Sequence, residues 1–280
     1  MKSLKQIGCA LVVLCLPIGL CQAQYTLTSG NSSVAINASG ANAGVTSWIV
    51  NGQNQLNDQW FWYRIGSTGP EYAINTIGTP TVDLISSSIL QTTYVSSQIQ
   101  ATILYSLVGG SAQSGTSDLS EQIAIQNLTS SSISFHFFQY ADFNLGGTAN
   151  NDSGQVTKAG NKYGGINQLD GTCMVSENVY TAVSQPASHY QIGTGSTILN
   201  SLNNDTPTTL NDTSVGSGNI NWGLEWDVTI ASGGTLLISK DLNIQGVAPG
   251  PVPEPSTWAL IILAAAAGGL YKYRTLRRLI

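Results

Sequence analysis

Charge is scarce in this 280-residue chain: Asp, Glu, Lys and Arg together make up 9% of it, against about a quarter in ordinary soluble domains. Positive charge is the scarcest. Lys2, Lys5, Lys272, Arg274, Arg277 and Arg278 lie in the two terminal segments, leaving only Arg64, Lys158, Lys162 and Lys240 against fourteen carboxylates between Gln24 and Val252. A surface of that sign repels a phosphate backbone, which excludes nucleic acid as a partner. Histidine is confined to His136 and His189. Neither has a second His or Cys at ligand spacing, so no metal and no cofactor is expected. Cysteine runs out in a similar way, because Cys9, Cys15 and Cys21 all fall in the first 23 residues. Cys173 is then left with no partner for an internal disulfide, and it reads as a small buried hydrophobe. Helical periodicity is also missing between residues 24 and 245.

What is present there is alternation. Trp222, Leu224, Trp226, Val228 and Ile230 share one face of a strand, and Gly223, Glu225, Asp227 and Thr229 share the other, which reads as a solvated face. Leu236, Ile238, Leu242 and Ile244 line one face of the next run, and the loop Ala231-Ser232-Gly233-Gly234 between them predicts a hairpin. Ile99, Ala101, Ile103, Tyr105 and Leu107 repeat the pattern, and Trp48-Ile49-Val50 runs into Asn51-Gly52, a strong two-residue turn signal. Such spacing predicts an all-β fold, one large antiparallel β-sandwich over 24–245. Gly193 to Gly218 is the least patterned stretch and reads as a long surface loop.

The two ends read as addresses. Residues 1–23 carry Lys2 and Lys5, an apolar run from Ile7 to Leu20, and Cys21-Gln22-Ala23, the pattern of a cleaved signal peptide. Residues 246–256 place prolines at 249, 251, 253 and 255, which forbids a helix or a paired strand and predicts an extended linker. Residues 257–273 form an apolar run long enough for a single transmembrane helix in a thin bilayer, and 274–280 follow as a basic cytoplasmic tail. Lys272, Arg274, Arg277 and Arg278 would stop that helix from slipping through.

Val252-Pro253-Glu254-Pro255-Ser256-Thr257, the short apolar helix and the terminal basic cluster together resemble the PEP-CTERM sorting signal of exopolysaccharide-producing Gram-negative bacteria. The resemblance implies that Pro253, Glu254 and Pro255 are read by an exosortase. It also implies an inner-membrane intermediate with the ectodomain in the periplasm, followed by passage to the cell surface or extracellular matrix. The chain departs from the family in ending on Leu279-Ile280 after an interrupted basic cluster.

Candidates for chemistry in the middle are sparse. Asp142-Phe143-Asn144-Leu145-Gly146-Gly147 is similar to the start of an EF-hand loop, but Ser153 stands at the twelfth position, where a bidentate Glu is required. An ordinary Asx/Gly turn is the better reading. Glu225 and Asp227 resemble the Glu-x-Asp-x-x-Glu strand of β-sandwich glycoside hydrolases, yet Thr229 and Ile230 follow and the second glutamate is absent. Trp60 and Trp62 lie on an aromatic strand, and one face of it could stack on sugar rings if a second layer does not cover it. The expectation is an exported structural or adhesive protein with no catalytic residues, in contact with extracellular polysaccharide. The alternatives are a carbohydrate-binding module and, behind it, a carbohydrate-active enzyme of aldose-epimerase-like or glycosidase-like type.

Overall fold

The computed structural model describes residues 24–179 and 185–248. The signal segment, the linker beyond Ala248, the apolar run 257–273 and the basic tail lie outside the described residues. Among the described residues no helix is long and apolar enough to cross a membrane.

The alternating runs form two sheets. The first is built from β1 (Gln24–Ser29), β2 (Ser32–Asn37), β3 (Gly44–Val50), β4 (Gln53–Asn54), β5 (Leu56–Ile65), β6 (Tyr72–Ala73), β11 (Ile133–Phe143), β15 (His189–Thr194), β16 (Thr213–Ser214) and β17 (Ile220–Ile230). The second holds β7 (Thr81–Ser86), β8 (Ile89–Val95), β9 (Ile99–Gly109), β10 (Ser117–Asn127), β12 (Ser153–Ala159), β13 (Lys162–Asp170), β14 (Cys173–Val179) and β18 (Thr235–Gln245). The strand order is β1-β2-β3-β5-β11-β17-β15-β16 in the first and β12-β13-β14-β18-β10-β9-β8-β7 in the second. Every pairing is antiparallel except the short parallel contact of β15 with β16.

The sheets face one another through one apolar core in which Phe61 stacks on Phe137 at 5.5 Å and Phe143 on Trp222 at 6.1 Å. Asn51 and Gly52 take φ of 52° and 81° between β3 and β4, the left-handed pair that a tight hairpin turn needs. The expected hairpin between β17 and β18 does not form. β17 pairs with β11 and β15, whereas β18 pairs with β10 and β14 across the sandwich. At the point of crossing the buried Asn127 amide donates to the carbonyls of Ser131, Ile230 and Ala231 at 2.8, 3.0 and 3.1 Å, bonds that a plain hairpin loop does not make. It fastens two corners side by side, β10 to β11 and β17 to β18, and at each the chain leaves one sheet for the other.

Gly193 to Gly218 is more than a surface loop. It carries α1 (Thr197–Leu202) and buries Ile198, Leu202 and Leu210, and with Ile74 and Ile77 of the 66–80 segment these form a third layer on the outer face of the first sheet. Gly223 lets that layer close, because a Cβ there would stand 3.0 Å from the Gln139 carbonyl and 3.2 Å from Leu210 Cδ1.

Candidate active site

Antiparallel register determines which side chains meet on the outer face of the first sheet, since directly opposed residues point the same way. Arg64 on β5 is opposite His136 on β11, which is opposite Asp227 on β17. One step along, Trp62 is opposite Phe138, Phe138 opposite Glu225, and Glu225 opposite His189 on β15. Four strands distant in sequence thus supply adjoining rows containing both histidines, Glu225, Asp227 and an arginine.

His136 Nδ1 makes a short contact with Asp227 Oδ1 and stands 3.8 Å from Glu225 Oε1. On the far side of Asp227, Oδ2 lies 3.5 Å from His189 Nε2, and His189 Nδ1 lies 3.0 Å from Asp212 Oδ2. Glu225 is fully buried beneath the third layer, where its Oε2 accepts the Leu210 N–H at 2.7 Å and its Oε1 has no hydrogen-bond partner. Its face of β17 is therefore not the solvated one that alternation suggested. His136 Nε2 is likewise buried and unpartnered. Arg64 is committed to structure: it pairs with buried Glu71, donates to the Thr208 carbonyl at 3.0 Å, and lies 5.9 Å from the Phe138 ring centre. Glu71 in turn accepts the Thr208 N–H at 2.9 Å, so this pair locks the cover segment to the sheet.

Proton affinities separate across the cluster. The bond to Asp227 and then that to Glu225 push His136 up to about 9, against burial and the nearby Arg64. Burial raises the Glu225 carboxyl, more than His136 and the Leu210 N–H lower it. Burial also acts upward on Asp227, but the bond and charge of His136, with Glu225 and His189, outweigh it and hold Asp227 below the usual carboxylate range. At neutral pH the arrangement is a protonated imidazole on an ionised Asp227, with a more proton-retentive carboxyl behind them. Groups set apart in this way are what acid–base chemistry uses.

Asp227 also borders an open recess of about 530 Å³, lined by Lys162, Gln185, Thr229, Thr235 and Leu237 among others. It lies at the corner between β17 and β18, and its size is that of a small-molecule site. The nearest donor atoms of His136, Glu225 and Asp227 lie within 4.8 Å of one another, so these three could also hold a cation. Spacing along the chain marked Glu225 and Asp227 as a pair but not His136, which β11 brings to them only by strand pairing.

The other sequence candidates fall elsewhere. Trp60 and Trp62, considered as ligand-facing aromatics, are on the outer face but only 2% and 5% exposed. Their indole N–H groups donate to Asn75 at 3.0 Å and Asn203 at 3.1 Å, so the third layer covers both rings. Asp142 accepts from Asn57 at 2.9 Å, and residues 145–147 form a turn whose Gly146 N–H donates to Gln55 Oε1 at 2.8 Å. Pro253, Glu254, Pro255, Lys272, Arg274, Arg277 and Arg278 lie outside the described residues.

No protein-family model matches the chain, and no curated protein matches it in sequence. Solved structures do share its fold. A provisional aldose 1-epimerase of Escherichia coli K12 superposes with a TM-score of 0.52 at 8% identity, over 80% of this chain and 98% of that one. A galactose mutarotase related enzyme of Lactobacillus acidophilus gives 0.51 at 10% identity, over 81% and 98%. A bacterial glucoamylase complexed with acarbose gives 0.54 at 13% identity over 80% of this chain, which spans 34% of the glucoamylase. At such identities the likeness is one of fold alone, a two-sheet antiparallel β-sandwich that this chain shares with those proteins. The expectation of a protein without catalytic residues is corrected here. The chain has a fold found in proteins named as epimerase and mutarotase enzymes, and it gathers two histidines and two carboxylates on one sheet face. The absent second glutamate bears on β17 alone, whereas strand pairing brings His136 of β11 and His189 of β15 beside Asp227 and Glu225.

Proposed function

We propose that this protein is a carbohydrate-active β-sandwich that moves protons on a saccharide, with an aldose-epimerase-like interconversion as the reaction. The observation that carries the proposal is the cluster of His136, His189, Glu225 and Asp227 on one sheet face, with Asp227 bordering an open recess. Opening an aldose ring requires a proton delivered to the ring oxygen and another removed from the anomeric hydroxyl, so one acid and one base suffice. His136 holds the proton to be delivered. Asp227 keeps that imidazole oriented and charged, and its second oxygen, shared with His189, faces the proton to be taken. The fourteen carboxylates of the region favour a neutral sugar over a uronic acid.

Polarimetry on freshly dissolved α-D-galactose and α-D-glucose tests this. The protein should speed mutarotation, and His136→Ala should slow it by about 10² to 10⁴-fold, the usual contribution of a positioned acid or base. Saccharide retention with no acceleration by the unmodified protein would instead make it a binding module.

We also infer export. The Pro253-Glu254-Pro255 tail supports an exosortase as processing partner, arrest at the inner membrane, and delivery to the cell surface or to matrix polysaccharide. In an exosortase-bearing host, replacing these three residues with alanine should leave tagged protein in the inner membrane. Release of that variant as efficiently as wild type would reduce the tail to a plain anchor.

A further inference from the structure

The interior holds a second charged cluster that the proposed reaction does not use. Lys240 on β18 is directly opposite Glu121 on β10, and Glu177 projects from β14 on the other side of β18. All three are 0% exposed. Lys240 Nζ is in contact with Glu121 Oε2 and 3.8 Å from Glu177 Oε1, yet it has no partner in hydrogen-bond geometry. The first sheet closes over them. Gln59 Nε2 donates to both Glu121 oxygens at 2.8 and 3.0 Å, Gln139 Nε2 donates to Glu177 Oε2 at 2.6 Å, and the Phe61 ring centre lies 5.2 Å from Nζ. The Tyr105 hydroxyl is buried nearby without a partner.

We propose that Lys240 and Glu121 are a site of covalent self-modification, condensing to an intramolecular isopeptide bond that staples β18 to β10. The Nζ–Cδ bond forms, one Cδ–O bond of Glu121 breaks, and the ammonium and carboxylate together release one water, so no co-reactant is required. Glu177 accepts the proton leaving Nζ and returns it to the departing oxygen, which restores its starting form. The Gln59 amide is placed to stabilise charge on the carboxyl oxygens as the tetrahedral centre develops.

Several features favour condensation here. Register holds amine and carboxyl together permanently, so proximity costs nothing at the moment of reaction. Burying an ion pair costs it its hydration, a cost that condensation to a neutral amide removes. The dry interior also excludes the bulk water that would drive the amide back. Burial raises Glu177 to about 7, despite Lys240, so it both takes and gives a proton near neutrality. The one cysteine among the described residues, Cys173, is free, so this bond would be the region's covalent tie.

Peptide mapping of the purified full-length protein after denaturation and trypsin decides the matter. Cleavage after Lys240 should be blocked, and the peptide containing Glu121 should be found joined to the one containing Lys240, lighter by one water than the two together. Lys240→Arg should give only unjoined peptides, and Glu177→Gln should greatly reduce the joined species. Full trypsin cleavage after Lys240 in wild type, with both peptides at their sequence masses, would overturn the proposal whether or not either variant folds. Loss of ammonia, with Gln59 as the joined residue, would overturn the assignment to Glu121.

Discussion

The first sheet lies between two polar clusters, an outer one carried on its own strands and an inner one carried by β10, β14 and β18 of the second sheet and capped by β5 and β11. β5 points Arg64 outward and Gln59 inward, and β11 points His136 outward and Gln139 inward. The inner set, Glu121, Glu177 and Lys240, is sealed on every side. In the outer set, Glu225 is equally buried, but Asp227 and His189 are each about one-third exposed. The chemistries of the two sets are alike, with carboxylates beside a cation and burial raising a carboxyl in each. The difference lies in access. Charges that no ligand can reach act only on one another, while Asp227 borders a recess that a small molecule could enter.

The sharpest way to break that contrast is to remove the inner cation. Lys240→Met should cost at least about 3 to 5 kcal/mol in urea unfolding, because it removes the tie to β10 and leaves two buried carboxyls without a counter-charge. Adding Glu121→Gln and Glu177→Gln should restore only the part of the loss that is due to charge. A cost below 1 kcal/mol for the single change would mean that water reaches the inner cluster. The third layer provides the next test. Trp62→Ala should cost about 3 kcal/mol, since the ring is buried as deeply as core aromatics. A folded variant of unchanged stability that no longer retains polysaccharide would make Trp62 a ligand-facing ring after all.

The smallest effect is a pH dependence specific to the outer cluster. The folded state raises His136 from 6.5 to about 9. Its stabilising contribution is therefore complete below 6.5 and is lost as pH rises towards 9. Melting temperature should fall across that window, and His136→Gln should flatten the decline. A decline unchanged in the variant would assign it to other groups.

Much of the sandwich was legible in the sequence because period-two alternation reflects burial on one face, and Asn51-Gly52 announces its own turn. The two corners were not, since Ala231 to Gly234 looks like any hairpin loop and only the bonds from the distant Asn127 mark it as a crossing. The outer site was half legible: Glu225 and Asp227 drew notice, but their histidines depend on strand pairing that composition does not encode. The inner cluster left a signal in plain view. In the run Leu236, Ile238, Leu242, Ile244 the omitted member of the series is Lys240, a charge at a core-facing position. Glu121 interrupts Leu119, Ile123 and Ile125 in the same way.

The Arg64–Glu71 lock has a consequence for how a ligand could arrive. β17 is paired on both sides from Trp222 to Glu225, so the amides there should be among the slowest in the molecule to exchange with deuterium. The cover segment around Thr208 is instead held by a few side-chain bonds to β5 and β17. Opening that clasp would expose Glu225 and the Trp62 ring together while the strands beneath stayed in place, so a sugar chain could reach a deeper site than a single ring does without any change in the sheet.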